Sequence, residues 1–506
     1  MPGKGKGSGK ESGQITRHIN HYRFPIDADD RPHVTDFGLA RRIAPRPGLT
    51  RSGAIVGTPS YMAPEQAAGR RGELTEVVDV YSLGTGIRRN GVPGLPSEAE
   101  RKGDMMSWRL IPLLLLASGL IALARADDPG VIATMDAIRF GPPKGKGEAE
   151  LVEGKLGKAV RFRWDPGARS AFFTSNLQGN PDWDRAAGFS FWIKGDGPTG
   201  FGGLQFIYDD DYAIRYDLAF PVQGTEWTKE TVAWGDLIPV LPGPRALPLG
   251  GPGGNPPSKL SGLWFGKWWY WGDYPALAFA VDDIRLEPTV DRDKAEHKPD
   301  GPPLGRVLAK LRAGQPVTVV TMGDSLTDKR HWSNREVGWV DLLRDRLKAI
   351  GGSEVTVVNP AIGGTQLRQN LVLIPRWLDQ TPEPDLVTVF FGGNDWDAGI
   401  RGEEFRRACD DAVDRIRRAT GGKADVLILT ANPSAVRWSE TGELAEACRA
   451  AAGDRSAGLA DTEAAFHAAG KLDRAPLFVD DRVHLSRLGH EVVARTVARA
   501  IEAAGR

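Results

Sequence analysis

Cysteine is scarce: Cys409 and Cys448 are the only two in 506 residues. They form no metal-binding spacing and no disulfide framework, which excludes a zinc module or a stapled mini-domain. Each lies in a helix-like segment rich in Ala and Arg, which favours two buried small residues over a bridge. Net charge is missing as well. With 65 basic and 65 acidic residues, nothing global points to nucleic acid or an anionic surface, and recognition falls to local sites. A membrane span needs roughly 18 apolar residues in a row, and the most apolar stretch, Leu110 to Ala124, stops short of that. The length itself exceeds one ordinary core, so several domains are expected.

Residues 1–104 begin with Lys4, Lys6 and Lys10 among Gly and Ser, a composition without an apolar face that is expected to be disordered. Asp36-Phe37-Gly38 follows, then Gly57 to Glu65, ending Ala63-Pro64-Glu65, then Asp79 to Gly84. This pattern resembles the activation segment of bacterial Ser/Thr protein kinases. Phosphoryl transfer also needs a glycine-rich phosphate cover, a lysine and helix-glutamate pair, and a His-Arg-Asp loop. None is present before Asp36 or after Gly84, so the segment reads as a truncated kinase C-lobe remnant, with a kinase-related receptor the weakest functional reading. Met105 to Arg109, the run Leu110 to Ala124 and the small-x-small end Ala124-Arg125-Ala126 then describe a secretory signal peptide over residues 105–126. Translation is expected to start at Met105 or Met106. The mature chain then begins near Asp127, is exported to the periplasm or beyond, and keeps no stable membrane span.

Residues 127–288 alternate short apolar and polar runs between Gly, Pro and Asp turns: Ala159 to Trp164, Gly188 to Lys194, Gly203 to Tyr208, Tyr212 to Ala219, Glu226 to Ala233 and Ala278 to Leu286. No helical period intervenes, so an all-β jelly roll or sandwich is expected. Trp264, Trp268, Trp269 and Trp271 crowd one window. If it is a strand, alternate rings face outward, where they can either form a platform for sugar rings or fill the rim of the sandwich. The module resembles the galactose-binding-like jelly rolls that accompany secreted carbohydrate-active enzymes. In some of those modules acidic runs hold calcium; Asp209 to Asp211 and Asp282-Asp283 are the candidates here, with solvated turns the plainer role. Residues 289–303, with alternating charge and several prolines, read as a linker.

From 304 to 506 strands and helices alternate. Val317 to Met322, Val355 to Val358, Leu386 to Phe391 and Val426 to Thr430 read as strands. Trp339 to Ile350, Leu371 to Leu378, Glu403 to Thr420 and Leu488 to Ala504 read as helices. Such alternation implies a three-layer α/β/α domain around a mostly parallel sheet. Chemistry-bearing residues collect at the strand ends. Ser325 is a hydroxyl that needs a base, His484 is the candidate, and Asp481 can hold its imidazole in the useful tautomer. The backbone N–H groups of Ser325 and Gly364 and the amide of Asn394 are the candidate oxyanion donors. Taken singly, each has a bland role as cap or turn former; their order along the chain joins them.

Four blocks carry the resemblance to a family: Gly323-Asp324-Ser325-Leu326, Asn359 to Gly364, Gly392-Gly393-Asn394-Asp395 and Asp481-Arg482-Val483-His484. Residues 316–490 resemble the SGNH (GDSL-type) hydrolases. The resemblance implies a serine esterase on a flavodoxin-like sheet with no required cofactor or metal. Ala361 and Thr365 depart from it where many members carry Gly and Asp. The Gly-x-Ser-x-Gly elbow of α/β-hydrolases is absent. The expected function is an exported esterase removing acetyl or other acyl groups from a carbohydrate or a small ester. The competing reading is a non-catalytic carbohydrate-binding protein with a degenerate hydrolase domain.

Overall fold

The computed structural model describes residues 16–19, 22–25, 128–141, 147–168, 171–174 and 177–504. The kinase-like motifs and the expected signal peptide lie outside the described residues. By itself stands a short antiparallel hairpin of β1 (Thr16–Ile19) and β2 (Tyr22–Pro25).

The segment expected to be all-β forms two antiparallel sheets. One runs in the order β10 (Thr228–Ala233), β7 (Gly188–Gly195), β13 (Leu277–Glu287), β5 (Lys158–Trp164), β4 (Gly147–Glu153), with β3 (Val131–Ala133) also on β13. The other runs β11 (Ile238–Pro239), β9 (Asp211–Gly224), β8 (Gly197–Tyr208), β12 (Leu260–Gly266), β6 (Ala171–Thr174). Alternate side chains point inward and meet as rings: Phe162 against Phe265 at 5.2 Å, Phe220 against Phe279 at 5.4 Å, Phe189 against Phe206 at 5.4 Å. A two-sheet sandwich with an aromatic core results. Its one α-helix among the described residues is the five-residue α1 (Pro181–Arg185), started by the Asn180 side chain and a proline in its first turn.

The C-terminal segment builds a parallel five-stranded sheet in the order β15 (Val355–Val358), β14 (Val317–Gly323), β16 (Leu386–Phe390), β17 (Asp425–Leu429), β18 (Gly458–Ala460). In chain order this is 2-1-3-4-5, a doubly wound arrangement whose direction reverses beside β14. Val317 and Val319 join one core with α2 (Gly305–Arg312), α3 (Trp339–Gly351) and, at the end of the chain, Arg487–Ala503. Val320 and Met322 join another on the opposite face, so β14 is buried on both sides as its β-branched run demands. The helix expected at Leu371 to Leu378 is two helices, α4 (Leu367–Val372) and α5 (Ile374–Gln380). Pro375 in the first turn of α5 has no N–H to continue the ladder, which explains the break.

The sandwich and the parallel-sheet domain share a core. Trp268, Tyr270 and Trp271 lie in the same apolar cluster as Leu367, Leu371, Ile374 and Trp377 of α4 and α5. Arg376 donates to the Trp271 carbonyl at 2.9 Å, with its guanidinium 4.9 Å from the Trp271 ring centroid, and pairs with Asp273. Arg415, in the helix Gly402–Ala419, donates to the carbonyls of Gly235 and Asp236 at 2.9 Å each. Under the joint, Asp217 is fully buried and accepts from Tyr270 Oη and the Gln205 amide; burial pushes its pKa up to about 7.

Candidate active site

The nucleophile's loop begins where β14 ends. A Cβ on Gly323 would sit 2.3 Å from Thr327 Oγ1, so only glycine lets the chain fold back there. The Gly323 carbonyl accepts from the Ile362 N–H at 3.1 Å, which ties the second glycine block to the first. Asp324 is buried beneath Ser325. Its Oδ1 accepts the Leu326 N–H at 3.0 Å and its Oδ2 accepts from Asn394 Nδ2 at 3.1 Å. Burial raises its pKa to about 6 in spite of those bonds. The amide of buried Asn334 donates to the carbonyls of Ser325 at 2.7 Å and Asp328 at 2.8 Å, fixing the loop from the other side.

The base comes from the far end of the chain. Arg482 at φ +64° turns the loop, and Val479 N–H donates to the His484 carbonyl at 2.9 Å. Asp481 Oδ1 accepts the N–H groups of Val483 and His484, both at 2.9 Å, and its Oδ2 meets His484 Nδ1 at 2.6 Å. His484 Nε2 meets Ser325 Oγ at 2.9 Å. Burial acts to raise the Asp481 pKa, but the His484 amide, its imidazole and the Val483 amide outweigh it and hold the carboxylate below its usual range. An ionised Asp481 accepts from Nδ1–H, which leaves Nε2 as the acceptor for the serine proton.

The glycine turn faces this pair. A Cβ on Gly363 would lie 3.6 Å from Ser325 Cβ, and Gly364 has φ +78°. Asp328 Oδ2 accepts the Gly363 N–H at 3.0 Å, while Arg330 grips Asp328 and the Ala361 carbonyl. The N–H groups of Ser325 and Gly364 donate to no protein acceptor among the described residues. Asn394 differs: its Nδ2 donates to Asp324 Oδ2 and to the Thr365 carbonyl, both at 3.1 Å. The expected third donor is therefore engaged within the protein. Next to it Asp395 is fully buried, accepts the Leu367 N–H at 3.1 Å, and is pushed up to about 7 by burial.

Of the two roles open to the tryptophan window, the sugar platform is corrected at Trp268 and Trp271. Trp268 and Trp271 are buried against the parallel-sheet domain, because the window is a short 3-10 turn, Trp269–Trp271, laid on α4 and α5 rather than an outward strand. Trp264 is half-buried in β12, and Trp269 alone of the four is exposed. Of the acidic runs, Asp209 and Asp211 pair with Arg245, and Asp283 pairs with Arg285. Among the described residues no group of three or more His, Cys, Asp or Glu is placed to hold a metal. Cys409 and Cys448 are buried free thiols.

Four residues at the site had no signal in the sequence: Asp328, Asn334, His331 and Trp332. The His331 ring stacks on His484 with centroids 4.1 Å apart, and Trp332 stands edge-on to His484 at 6.0 Å. Burial, then the neighbouring His484, lowers the His331 pKa. They sit in an irregular loop, where no period or spacing singles them out.

Comparison with known proteins bears on both ends of the chain. Residues 321–492 match the GDSL-like lipase/acylhydrolase family. The amino-terminal region matches kinases. The serine/threonine-protein kinase PkaA of Streptomyces coelicolor is 57% identical over 53 residues, 10% of this chain and 9% of that protein. PknA of Corynebacterium glutamicum is 44% identical over 70 residues, 14% of each. The chain thus spans only a small part of the kinases it matches. Among solved structures, the acetylxylan esterase Axe2 of Geobacillus stearothermophilus aligns at 24% identity, covering 38% of this chain and 96% of that one, TM-score 0.31. A lipase/acylhydrolase of Enterococcus faecalis aligns at 23% identity with the same coverage, TM-score 0.32.

Proposed function

We infer that this chain, which carries a GDSL-like lipase/acylhydrolase domain at its carboxyl end, is a carboxylic ester hydrolase that works through Ser325, His484 and Asp481. The observation that carries the mechanism is the continuous chain from Ser325 Oγ through His484 Nε2 and Nδ1 to Asp481, with contacts of 2.9 and 2.6 Å. His484 takes the serine proton as Oγ bonds to the acyl carbon. The carbonyl electrons move onto oxygen, for which the N–H groups of Ser325 and Gly364 are the donors we assign. Collapse of that intermediate breaks the carbon–oxygen bond to the alcohol, which leaves with the proton from His484. Water, deprotonated by the same imidazole, then releases the acid and restores Ser325. Asp481 orients the ring and offsets its charge throughout.

The finer reading is an exported enzyme acting on acyl, above all acetyl, groups of a carbohydrate, with the sandwich as a jelly-roll module beside the site. The segment 105–126 supports export by its pattern, and no helix among the described residues is long and apolar enough to cross a membrane. The kinase-like segment lacks the phosphate cover, lysine and catalytic loop of phosphoryl transfer, so it is given no part in the chemistry. The test is Ser325→Ala. Turnover of p-nitrophenyl acetate should vanish with folding intact, and turnover persisting at the original rate would remove the mechanism.

A further inference from the structure

The reaction fixes where the alcohol half of the ester lies. His484 Nε2 must hand its proton to the departing alcohol oxygen, so that oxygen comes within hydrogen-bond reach of Nε2. The acyl oxygen lies elsewhere, toward the N–H groups of Ser325 and Gly364. Whatever borders the His484 ring therefore borders the alcohol.

His331 and Trp332 border it. His331 is half-buried, stacked on His484, with its Nδ1 bonded to Ser333 Oγ at 2.8 Å. Trp332 keeps 55% of its surface in water, a poor use of a large apolar ring unless something covers it. Its mounting is anchored to the nucleophile's loop. Trp332 opens a 3-10 turn, Trp332–Asn334, whose last residue is the buried Asn334 that grips the carbonyls of Ser325 and Asp328. The indole is thus tied through one residue to the main chain of the nucleophile, the pre-organisation that a binding face requires.

We propose that Trp332, with His331 at its edge, is the subsite for the leaving alcohol, and that this alcohol is a hydroxyl of a sugar ring stacked on the indole. The proposal deepens the esterase reading and rests on it. The surroundings select the class. An alkyl alcohol gains from an enclosed apolar groove, whereas the exposed residues near Trp332 and His484 in their two loops are mostly charged, Lys329, Arg330, Arg335, Asp481 and Arg482, with Val483 the one exposed apolar neighbour of His484 along the chain. A pyranose suits one open aromatic face: its C–H side covers the indole and its hydroxyls stay among polar groups and water. The four-tryptophan window that sequence marked for this role is mostly spent on the joint between domains, and the ring best placed for the reacting sugar lies in the hydrolase domain itself.

The test compares two acetates with the full chain: ethyl acetate and a monoacetylated methyl pyranoside, which share the acyl group and differ in the alcohol. The readout is the ratio of kcat/KM for the pyranoside to that for ethyl acetate. Trp332→Ala should lower this ratio about tenfold, the scale of one lost aromatic contact, and Trp332→Phe should recover most of it. A ratio unchanged in Trp332→Ala overturns the proposal, whether both rates hold or both fall together, since equal losses mean that Trp332 acts only by placing His484. The esterase reading is judged apart, by wild-type turnover of ethyl acetate and its loss in Ser325→Ala. Wild type that hydrolyses neither acetate overturns that reading and the subsite with it.

Discussion

Replacing Asp481 by Asn keeps the shape of the histidine loop and removes one charge and one acceptor. The Asn carbonyl can still take the N–H groups of Val483 and His484, now held at 2.9 Å each by Oδ1. Its NH2 would then face His484 Nδ1, where Oδ2 now stands at 2.6 Å. A donor at that place makes Nδ1 an acceptor and moves the ring proton to Nε2, which can no longer take the proton of Ser325. Two effects add. Opposite charges about 4 Å apart attract by about 4 kcal/mol at an effective dielectric constant of about 20. Because the Asp481 side chain is 35% exposed, solvent screening reduces this to about 2 kcal/mol, or roughly thirtyfold in rate. Recovering the useful tautomer against an unsatisfied donor adds about 2 kcal/mol more. The expected loss in kcat is therefore roughly a thousandfold with KM nearly unchanged, since Asp481 does not touch the ester. Initial rates with p-nitrophenyl acetate at pH 8, with kcat and KM resolved, measure it. A loss smaller than about tenfold would refute the assignment of Asp481 as the partner of the base.

Three other outcomes follow from the geometry. Trp271→Ala opens a cavity in the joint between sandwich and hydrolase and should destabilise the protein by about 3–5 kcal/mol; urea unfolding should remain one transition, and a separate hydrolase transition with its midpoint unmoved would disprove the shared core. Asp395 has a folded pKa raised to about 7, so the native state holds its proton more tightly than the unfolded chain and stability falls as pH rises from about 4 to 7. Asp395→Asn, which keeps an oxygen for the Leu367 N–H, should therefore raise Tm at pH 8 and leave it little changed at pH 4; an equal shift at both would break the linkage. Asn394→Ala should lower kcat about a hundredfold if its amide turns to the oxyanion, and full activity would leave the hole to the two backbone donors alone.

The strands, and the grouping of Ser325, His484 and Asp481, were legible because both leave local marks. β14 is a β-branched run, the sheet alternates with amphipathic helices, and Ser325 follows a strand while Asp481 and His484 precede the last helix. β18 was missed because three residues, Gly458 to Ala460, carry no period, and Gly458 is there for space: a Cβ would meet the Leu304 side chain at 2.6 Å. The tryptophans misled for a related reason. Aromatic density marks a surface that needs covering but does not say what covers it. Trp268 and Trp271 meet helices that begin about a hundred residues later in the chain, and no pattern within a window can report that. Trp332, isolated and flanked by polar residues, offered no density to notice, and its standing beside His484 depends on a loop 150 residues away.

The oxyanion site is where geometry and chemistry press hardest on each other. Two donors, the N–H groups of Ser325 and Gly364, stand free, and the third is held by Asp324 and the Thr365 carbonyl. Asp324 is fully buried with its pKa raised to about 6, so near neutral pH it is ionised and is the stronger competitor for the Asn394 amide. A developing oxyanion can win one N–H back only by offering a full negative charge in the same low-dielectric space, and the neutral ester carbonyl before attack offers none. An Asn394 amide that turned to the oxyanion would then be withheld from the ground state and released only to the transition state, the differential binding that raises kcat rather than merely lowering KM. On that reading Asp324 would do more than turn the chain: it would hold the Asn394 amide, now 3.1 Å from its Oδ2, until the charge forms.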